Sequence, residues 1–112
     1  MLTVAMLREF GADVDTALAR CMNNEAFYLR LVKMALEQPS VADLGKALES
    51  GDLDKAFEEA HKIKGVMGNL SLDPVLNPVS ELTELLRHKT PGDYAGLYSV
   101  ILNKTEELRK QL

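Results

Sequence analysis

The sequence is poor in the residues and patterns that mark several common functional classes. Its single cysteine, Cys21, cannot form a disulfide within the chain, and no Cys-x-x-Cys pair is present to hold a metal. No apolar run approaches the roughly 20 residues that cross a bilayer, and the N-terminus lacks the basic start of a signal peptide. We therefore expect a cytoplasmic protein in which Cys21 is a buried, inert thiol.

The chain also has no excess of basic over acidic residues. The chain carries 13 Lys and Arg against 17 Asp and Glu, a formal net charge of -4. Proteins that bind nucleic acid or anionic membranes need a basic surface. We therefore expect neither nucleic acid nor membrane among the partners.

The apolar residues that are present follow helical spacing, with no alternating strand pattern and no hairpin signal. There is no tryptophan and only 5% of residues are aromatic, so the core must be aliphatic. With 112 residues the chain has the length of one domain, and residues 1–112 are predicted to form it. The clearest stripe belongs to a central helix over 53–70, and its members are Leu53, Ala56, Phe57, Ala60, Ile63, Met67 and Leu70.

Breaks between apolar segments give the other helices. Ser40 with Asp43 resembles a capping box, and Asp73 before a proline resembles a capping acid. Helices are predicted over 3–10, from 13 to Asn23-Asn24, over 25–38 and 40–50, from Asp73-Pro74 or Asn77-Pro78, and from Thr90-Pro91 to Leu112. Four long amphipathic helices with short connections predict an all-α fold, an antiparallel up-down-up-down four-helix bundle with short extra N-terminal helices.

The candidate chemistry lies in the central helix. At about 100° per residue, His61 falls about 120° from the centre of the core stripe, at the boundary between core and solvent. Gly65 and Gly68 share this flank, and Lys64 lies between His61 and the stripe. Two glycines inside a helix cost about 1 kcal/mol each relative to alanine. Either they allow close helix–helix packing, or they clear a shelf on which another protein reaches the imidazole.

The residues around His61 suit phosphoryl chemistry. A neutral imidazole is a nucleophile near neutral pH, and phosphoryl transfer depends mainly on positioning and charge stabilisation. Lys64 is one turn from the ring, whereas Lys62 points away from the core and is interpreted as a solvated charge. The alternative is a partly exposed histidine with no chemistry, the usual case for a lone histidine.

This segment resembles a known family. Residues 60–65 match the signature A-H-x-[LI]-K-G of the histidine-phosphotransfer (Hpt) domains of two-component phosphorelays, as Ala60-His61-Lys62-Ile63-Lys64-Gly65. Gly68-Asn69-Leu70 continues the match, and Gly11-Ala12-Asp13 is similar to the opening of such domains.

The resemblance implies a function and its site. His61 would carry the phosphoryl group on its outward ring nitrogen, Lys64 would stabilise the phosphoryl oxygens, and Gly65 would make room for a receiver domain. Lys62, Gly68, Asn69 and Thr83 would support them. The partners implied are a response-regulator receiver domain and a histidine kinase. Mg²⁺ and most catalytic groups would belong to the receiver, so this chain would be a phosphocarrier without a cofactor or kinase activity of its own.

The chain departs from the family pattern at two positions. Ser71 stands where many members have glycine. Thr83 aligns with a Glu or Gln that often holds the inner ring nitrogen of the histidine, and Glu81 or Glu84 could replace it if Pro78 shifts the phase of that helix. On the preceding helix, Leu29 or Val32 is a candidate for the docking patch.

Other functional classes fit less well. A di-iron bundle needs two Glu-x-x-His units, and only Glu58 with His61 forms one, because Leu85 precedes the other histidine, His88. A haem bundle with a methionine ligand is conceivable, but methionines are more simply core filler. No Gly-rich ATP loop is present. The remaining alternative is a non-catalytic helical adaptor, for which His61→Ala would change at most affinity. We predict a histidine phosphocarrier without a metal, and a monomer.

Overall fold

The computed structural model describes residues 1–112, which form seven α-helices and no strand, so the predicted all-α fold is confirmed. The helices are α1 (Val4–Phe10), α2 (Val14–Arg20), α3 (Glu25–Glu37), α4 (Ser40–Ser50), α5 (Leu53–Asn69), α6 (Asp73–Arg87) and α7 (Tyr94–Arg109).

The last four helices form the bundle. Each contacts the next, and α4 also contacts α7, so the four close around a common core. Their connections, residues 51–52, 70–72 and 88–93, are short, which makes successive helices antiparallel. Helix α3 contacts α2 and α7, and α1 packs on α2. None of the seven helices is both long enough and apolar enough to span a bilayer.

One cluster of 25 buried apolar residues draws on all seven helices. On α5 the stripe predicted from spacing is buried at Ala56, Ala60, Ile63 and Met67. Phe57 is only half-buried and packs against the edge of the core. Cys21 is buried, as expected.

Two of the predicted N-caps are wrong. Ser40 lies inside α4, where Pro39 occupies the cap position and no side chain bonds the helix end. Proline fits there because the first helical N–H groups have no partner within the helix. Asp73 is the first residue of α6 rather than its cap, which is Leu72. Its carboxylate still lies in the first turn, where negative charge is favourable.

Helix boundaries differ from the predicted ones in α2 and at both ends of α7, which ends at Arg109 rather than Leu112, and one of the two predicted starts of α6 is wrong. Helix α2 ends at Arg20, before the turn that leads to Asn24, the N-cap of α3. Helix α6 runs unbroken through Pro78, so a start at Asn77-Pro78 is wrong. Its buried face continues on both sides of the proline, and this packing offsets one lost hydrogen bond. Helix α7 begins at Tyr94 rather than at Thr90-Pro91, because Asp93 caps it by accepting from Gly96 N at 2.9 Å.

Two long-range contacts fix the C-terminal end of α5. The Tyr28 hydroxyl donates to Leu70 O at 2.9 Å, inside the core. The Arg20 guanidinium donates to Gly68 O at 2.9 Å and to Asn69 O at 3.1 Å. These carbonyls belong to the helix end, where few backbone donors remain, and of the three Gly68 O also accepts from Ser71 N at 3.2 Å. Helices α2 and α3 thus hold α5 in place.

Candidate functional site

His61 lies in the third turn of α5 with an exposed side chain. Its ring stacks on Phe57, one turn earlier, with the ring centroids 5.7 Å apart and the planes inclined by 17°. No side chain of the protein forms a hydrogen bond with the imidazole. Both ring nitrogens are therefore open to solvent or to a partner.

Arg87, at the end of α6, lies against the same aromatic ring. Its guanidinium carbon is 5.0 Å from the Phe57 centroid, within cation–π range. Arg87 also donates from Nε to Glu84 Oε1 at 3.2 Å. His61 and Arg87 thus both contact the ring of Phe57. Neither Phe57 nor Arg87 was predicted as a site residue, although the i, i+4 spacing of Phe57 and His61 was visible in the sequence.

Lys64 and Lys62 have different surroundings. Lys64 is half-buried one turn beyond His61 and makes no ion pair, so its ammonium is available to an incoming anion. Lys62 donates to Glu59 Oε1 at 3.3 Å, and Lys55 lies 3.1 Å from the same oxygen. Lys62 is therefore more than a solvated charge, because it helps to hold a buried carboxylate.

Glu59 is only 2% exposed, an arrangement that spacing alone did not predict. Burial alone would raise its pKa, but hydrogen bonds from Lys55 and Lys62 and their charges outweigh burial and hold the pKa below its usual value. The carboxylate stays ionised at neutral pH and pairs with both lysines.

The surroundings of the two glycines separate the alternatives left open by the sequence. A Cβ added at Gly65 would meet nothing within 4 Å, and one at Gly68 would lie 3.7 Å from Leu76 Cδ1, an ordinary contact. Close helix packing therefore does not require either glycine. At Gly45 of α4, by contrast, a Cβ would lie 2.5 Å from the Tyr98 hydroxyl oxygen. The surface beside His61 is open at Gly65.

Asn69 ends α5 with an exposed side chain, and its role in the structure is through its carbonyl, which Arg20 binds. This places a second cation at the far end of the flank, two turns beyond His61. No local sequence signal identified Arg20, because it lies on another helix and is brought here by the packing of α2.

Thr83 is fully buried in α6, and its hydroxyl donates to Val79 O at 2.7 Å. That hydrogen is therefore used within α6 and does not reach the imidazole. Of the two alternatives, Glu84 is paired with Arg87, and Glu81 is exposed. The contact of α6 with the His61 ring runs through Arg87 and Phe57.

The suggested docking residue Val32 is wrong, because its side chain is fully buried in the core. Leu29 is half-buried. An open apolar groove of about 450 Å³ lies instead between α3, the start of α4 and α5. Its lining residues are Leu31, Met34, Ala35, Gln38, Ser40, Val41, Lys62, Ile63, Val66, Met67, Asn69 and Leu70. Asn69 and Lys62 connect this groove to the exposed face of α5 that carries His61.

No group of three or more His, Cys, Asp or Glu side chains in residues 1–112 could hold a metal ion. His88 caps α6 far along the chain from His61, with Nε2 3.8 Å from Glu84 Oε2. The arrangement offers one exposed imidazole, a lysine without a partner and an open glycine.

The chain was compared with known proteins. The family model of the Hpt domain matches residues 28–111, a range that includes the bundle, His61, Lys64 and Gly65. Searches of curated proteins and of solved structures gave no match. The matched range is most of the chain and agrees with the helical fold and with the residues around His61. The chain therefore belongs to the Hpt-domain family, the histidine-phosphotransfer modules of two-component phosphorelays.

Proposed function

We propose that this chain is a phosphorelay intermediate that accepts a phosphoryl group on His61 from a receiver aspartate or a histidine kinase and passes it to a receiver aspartate. The observation that carries the proposal is the exposed His61 imidazole, which has no hydrogen-bond partner in the protein and lies beside an unpaired Lys64 and an open Gly65. A nucleophile, a positive charge and an approach path are thus present together.

The transfer is a displacement at phosphorus. The lone pair of the outward His61 nitrogen attacks the aspartyl phosphate, the N–P bond forms, and the bond from phosphorus to the acyl oxygen breaks. The receiver's aspartate leaves as a carboxylate, and the other ring nitrogen carries the proton. In the transition state of such a transfer, negative charge is distributed over the phosphoryl oxygens, and the Lys64 ammonium stabilises this charge. The Mg²⁺ ion of the reaction belongs to the receiver.

Gly65 and Gly68 give the receiver room to approach. With no Cβ at Gly65, a loop or side chain of the partner can contact the α5 backbone beside the imidazole. The adjoining groove supplies apolar surface for the same partner, with Met34 50% exposed and Val66 38% exposed. The docking surface we propose therefore joins the His61 flank to this groove, with Asn69 between them.

Hpt domains are phosphocarrier modules without kinase activity of their own, and we propose the same for this chain. No cofactor is needed, because the energy of the bond comes from the donor phosphoprotein. The net charge of -4 supports protein partners rather than nucleic acid or membrane. We further propose that the chain works as a monomer in the cytoplasm.

The proposal is tested by incubation with a phosphorylated receiver domain. The native chain and His88→Gln, a matched control that removes the other histidine, should gain an acid-labile, alkali-stable label. His61→Gln should gain none. A label that persists on His61→Gln contradicts the proposal. An unlabelled native chain, tried with several receivers and a histidine kinase, would favour the adaptor instead.

A further inference from the structure

The imidazole of an exposed histidine needs something to fix its orientation before it can attack in line. No hydrogen bond from the protein holds the His61 ring, and the buried Thr83 hydroxyl donates instead to Val79 O within α6. The one side chain in stacking contact with the imidazole is Phe57, with the ring centroids 5.7 Å apart. The spacing of the two residues, one helical turn, makes this contact local to α5.

We propose that Phe57 is the positioning residue for His61, and that Arg87 holds Phe57 in place. This inference rests on the proposed phosphotransfer function. Phe57 is half-buried and could turn at the edge of the bundle, but the Arg87 guanidinium lies 5.0 Å from its centroid. Glu84 in turn holds Arg87 at 3.2 Å. The position of α6 thus affects the orientation of the His61 imidazole through the Arg87 and Phe57 side chains.

Stacking has a different chemical consequence from a hydrogen bond. A carboxylate or amide that bonds one ring nitrogen fixes the tautomer as well as the ring plane. Contact with the face of Phe57 fixes the plane and leaves both nitrogens at the ring edge unoccupied. The outward nitrogen can then attack phosphorus while the other exchanges its proton with water. Pre-orientation of a nucleophile acts on the rate of the step within the complex.

The test measures the transfer rate from a phosphorylated receiver as a function of receiver concentration. Phe57→Leu should lower the rate at saturating receiver by about 3- to 10-fold, the factor expected for loss of an aromatic pair. The half-saturating concentration should stay at the native value, because the docking surface is unchanged. Phe57→Tyr, which keeps the ring, should restore the rate to within about 2-fold of the native chain.

A double-mutant cycle tests the role of Arg87. Alone, Arg87→Gln should slow transfer by about 2- to 5-fold. In the Phe57→Leu background it should have no further effect, because its action on His61 passes through the ring. Multiplicative losses would overturn the inference and would mean that Arg87 acts on the phosphoryl group or the partner directly. Thermal unfolding of each variant checks that the bundle is intact.

The outcomes separate this inference from the proposed function. Native rate and saturation for Phe57→Leu, with the native chain labelled on His61, overturn the positioning role alone. Failure of the native chain to accept a label overturns both. A lower rate for Phe57→Leu that Phe57→Tyr does not restore also overturns the positioning role of Phe57, since a general packing defect would then be the cause.

Discussion

Gly65 and Gly45 are both helical glycines, yet their surroundings give them opposite roles. A Cβ at Gly45 would meet the Tyr98 hydroxyl oxygen at 2.5 Å, whereas one at Gly65 would enter open space. Gly45 is required by the packing of α4 on α7. Gly65 is a helix-weakening residue that the fold does not require, which supports a role in contact with a partner.

Substitutions at these two positions should therefore move stability in opposite directions. Gly65→Ala should stabilise the fold by about 0.5–1 kcal/mol, because alanine loses less backbone entropy in a helix. Gly45→Ala should destabilise it by about 1–3 kcal/mol through overpacking. Chemical denaturation measures both.

Gly65→Leu should fold normally and transfer phosphoryl groups at least about 10-fold more slowly, since the side chain would occupy the shelf beside His61. Gly65→Ala, which adds only a Cβ at the same position, serves as its control and should retain most of the transfer. Normal transfer by Gly65→Leu would refute the docking role.

Lys64 and Lys62 differ in partner rather than in charge. Glu59 binds Lys62 and leaves Lys64 without an ion-pair partner, so we expect Lys64 rather than Lys62 to contact the phosphoryl group. Lys64→Ala should slow transfer by about 10-fold or more while leaving the melting temperature unchanged. Lys62→Ala, the charge-matched control, should keep the native transfer rate at saturating receiver, even though its side chain also lines the groove, and should lose about 1 kcal/mol or less of stability. Equal losses of transfer in the two variants would contradict this assignment.

At the scale of the element, α5 is a helix fixed at both ends. Asp52 accepts from Lys55 N at 3.1 Å at the start, and Tyr28 and Arg20 bind the carbonyls at the end. The core stripe of α5 fixes its rotation about its own axis. The His61 flank therefore has a defined direction before any partner binds, which reduces the cost of ordering on docking.

The Tyr28 hydroxyl is the buried member of these contacts. Tyr28→Phe should destabilise the protein by about 1–2 kcal/mol, because the Leu70 carbonyl loses its donor in the core. Tyr94→Phe, which removes a hydroxyl bound to the exposed Thr90 carbonyl, is the control and should cost less than about 0.5 kcal/mol.

Tyr28 also makes the free energy of unfolding depend on pH in the alkaline range. Desolvation by burial, the largest cause, raises the pKa of Tyr28 to about 12 from its ordinary value of 10.0. The folded state keeps the proton that the unfolded state begins to lose near pH 10, so the free energy of unfolding should fall as pH rises from about 10 to 12. Tyr28→Phe should flatten this fall. An equally steep loss in the variant would show that another group causes it.

At the scale of the whole molecule, local patterns predicted the helices and the His61 segment, and tertiary contacts account for what they missed. The apolar stripe of α5 was predictable because its apolar residues recur in the sequence with the 3.6-residue period of a helix. The pairing of Arg87 with Phe57, the binding of Arg20 to the end of α5 and the burial of Val32 depend on how helices pack, which spacing within one helix does not report. The start of α7 was missed because Asp93 competes with Thr90 for the cap, and only the fold decides between them. The single-domain organisation and the monomeric state stay predictions.

We propose that a phosphoryl group enters and leaves this chain through His61. The most direct measurement loads the purified chain from a phosphorylated receiver, removes that donor, and mixes the labelled chain with a fresh, unphosphorylated receiver. We expect the label to leave the chain and to appear on the receiver as an alkali-labile acyl phosphate. His61→Gln should never acquire the label, and His88→Gln should behave as the native chain. A label that stays on the chain, or that passes equally through His61→Gln, would contradict the proposal.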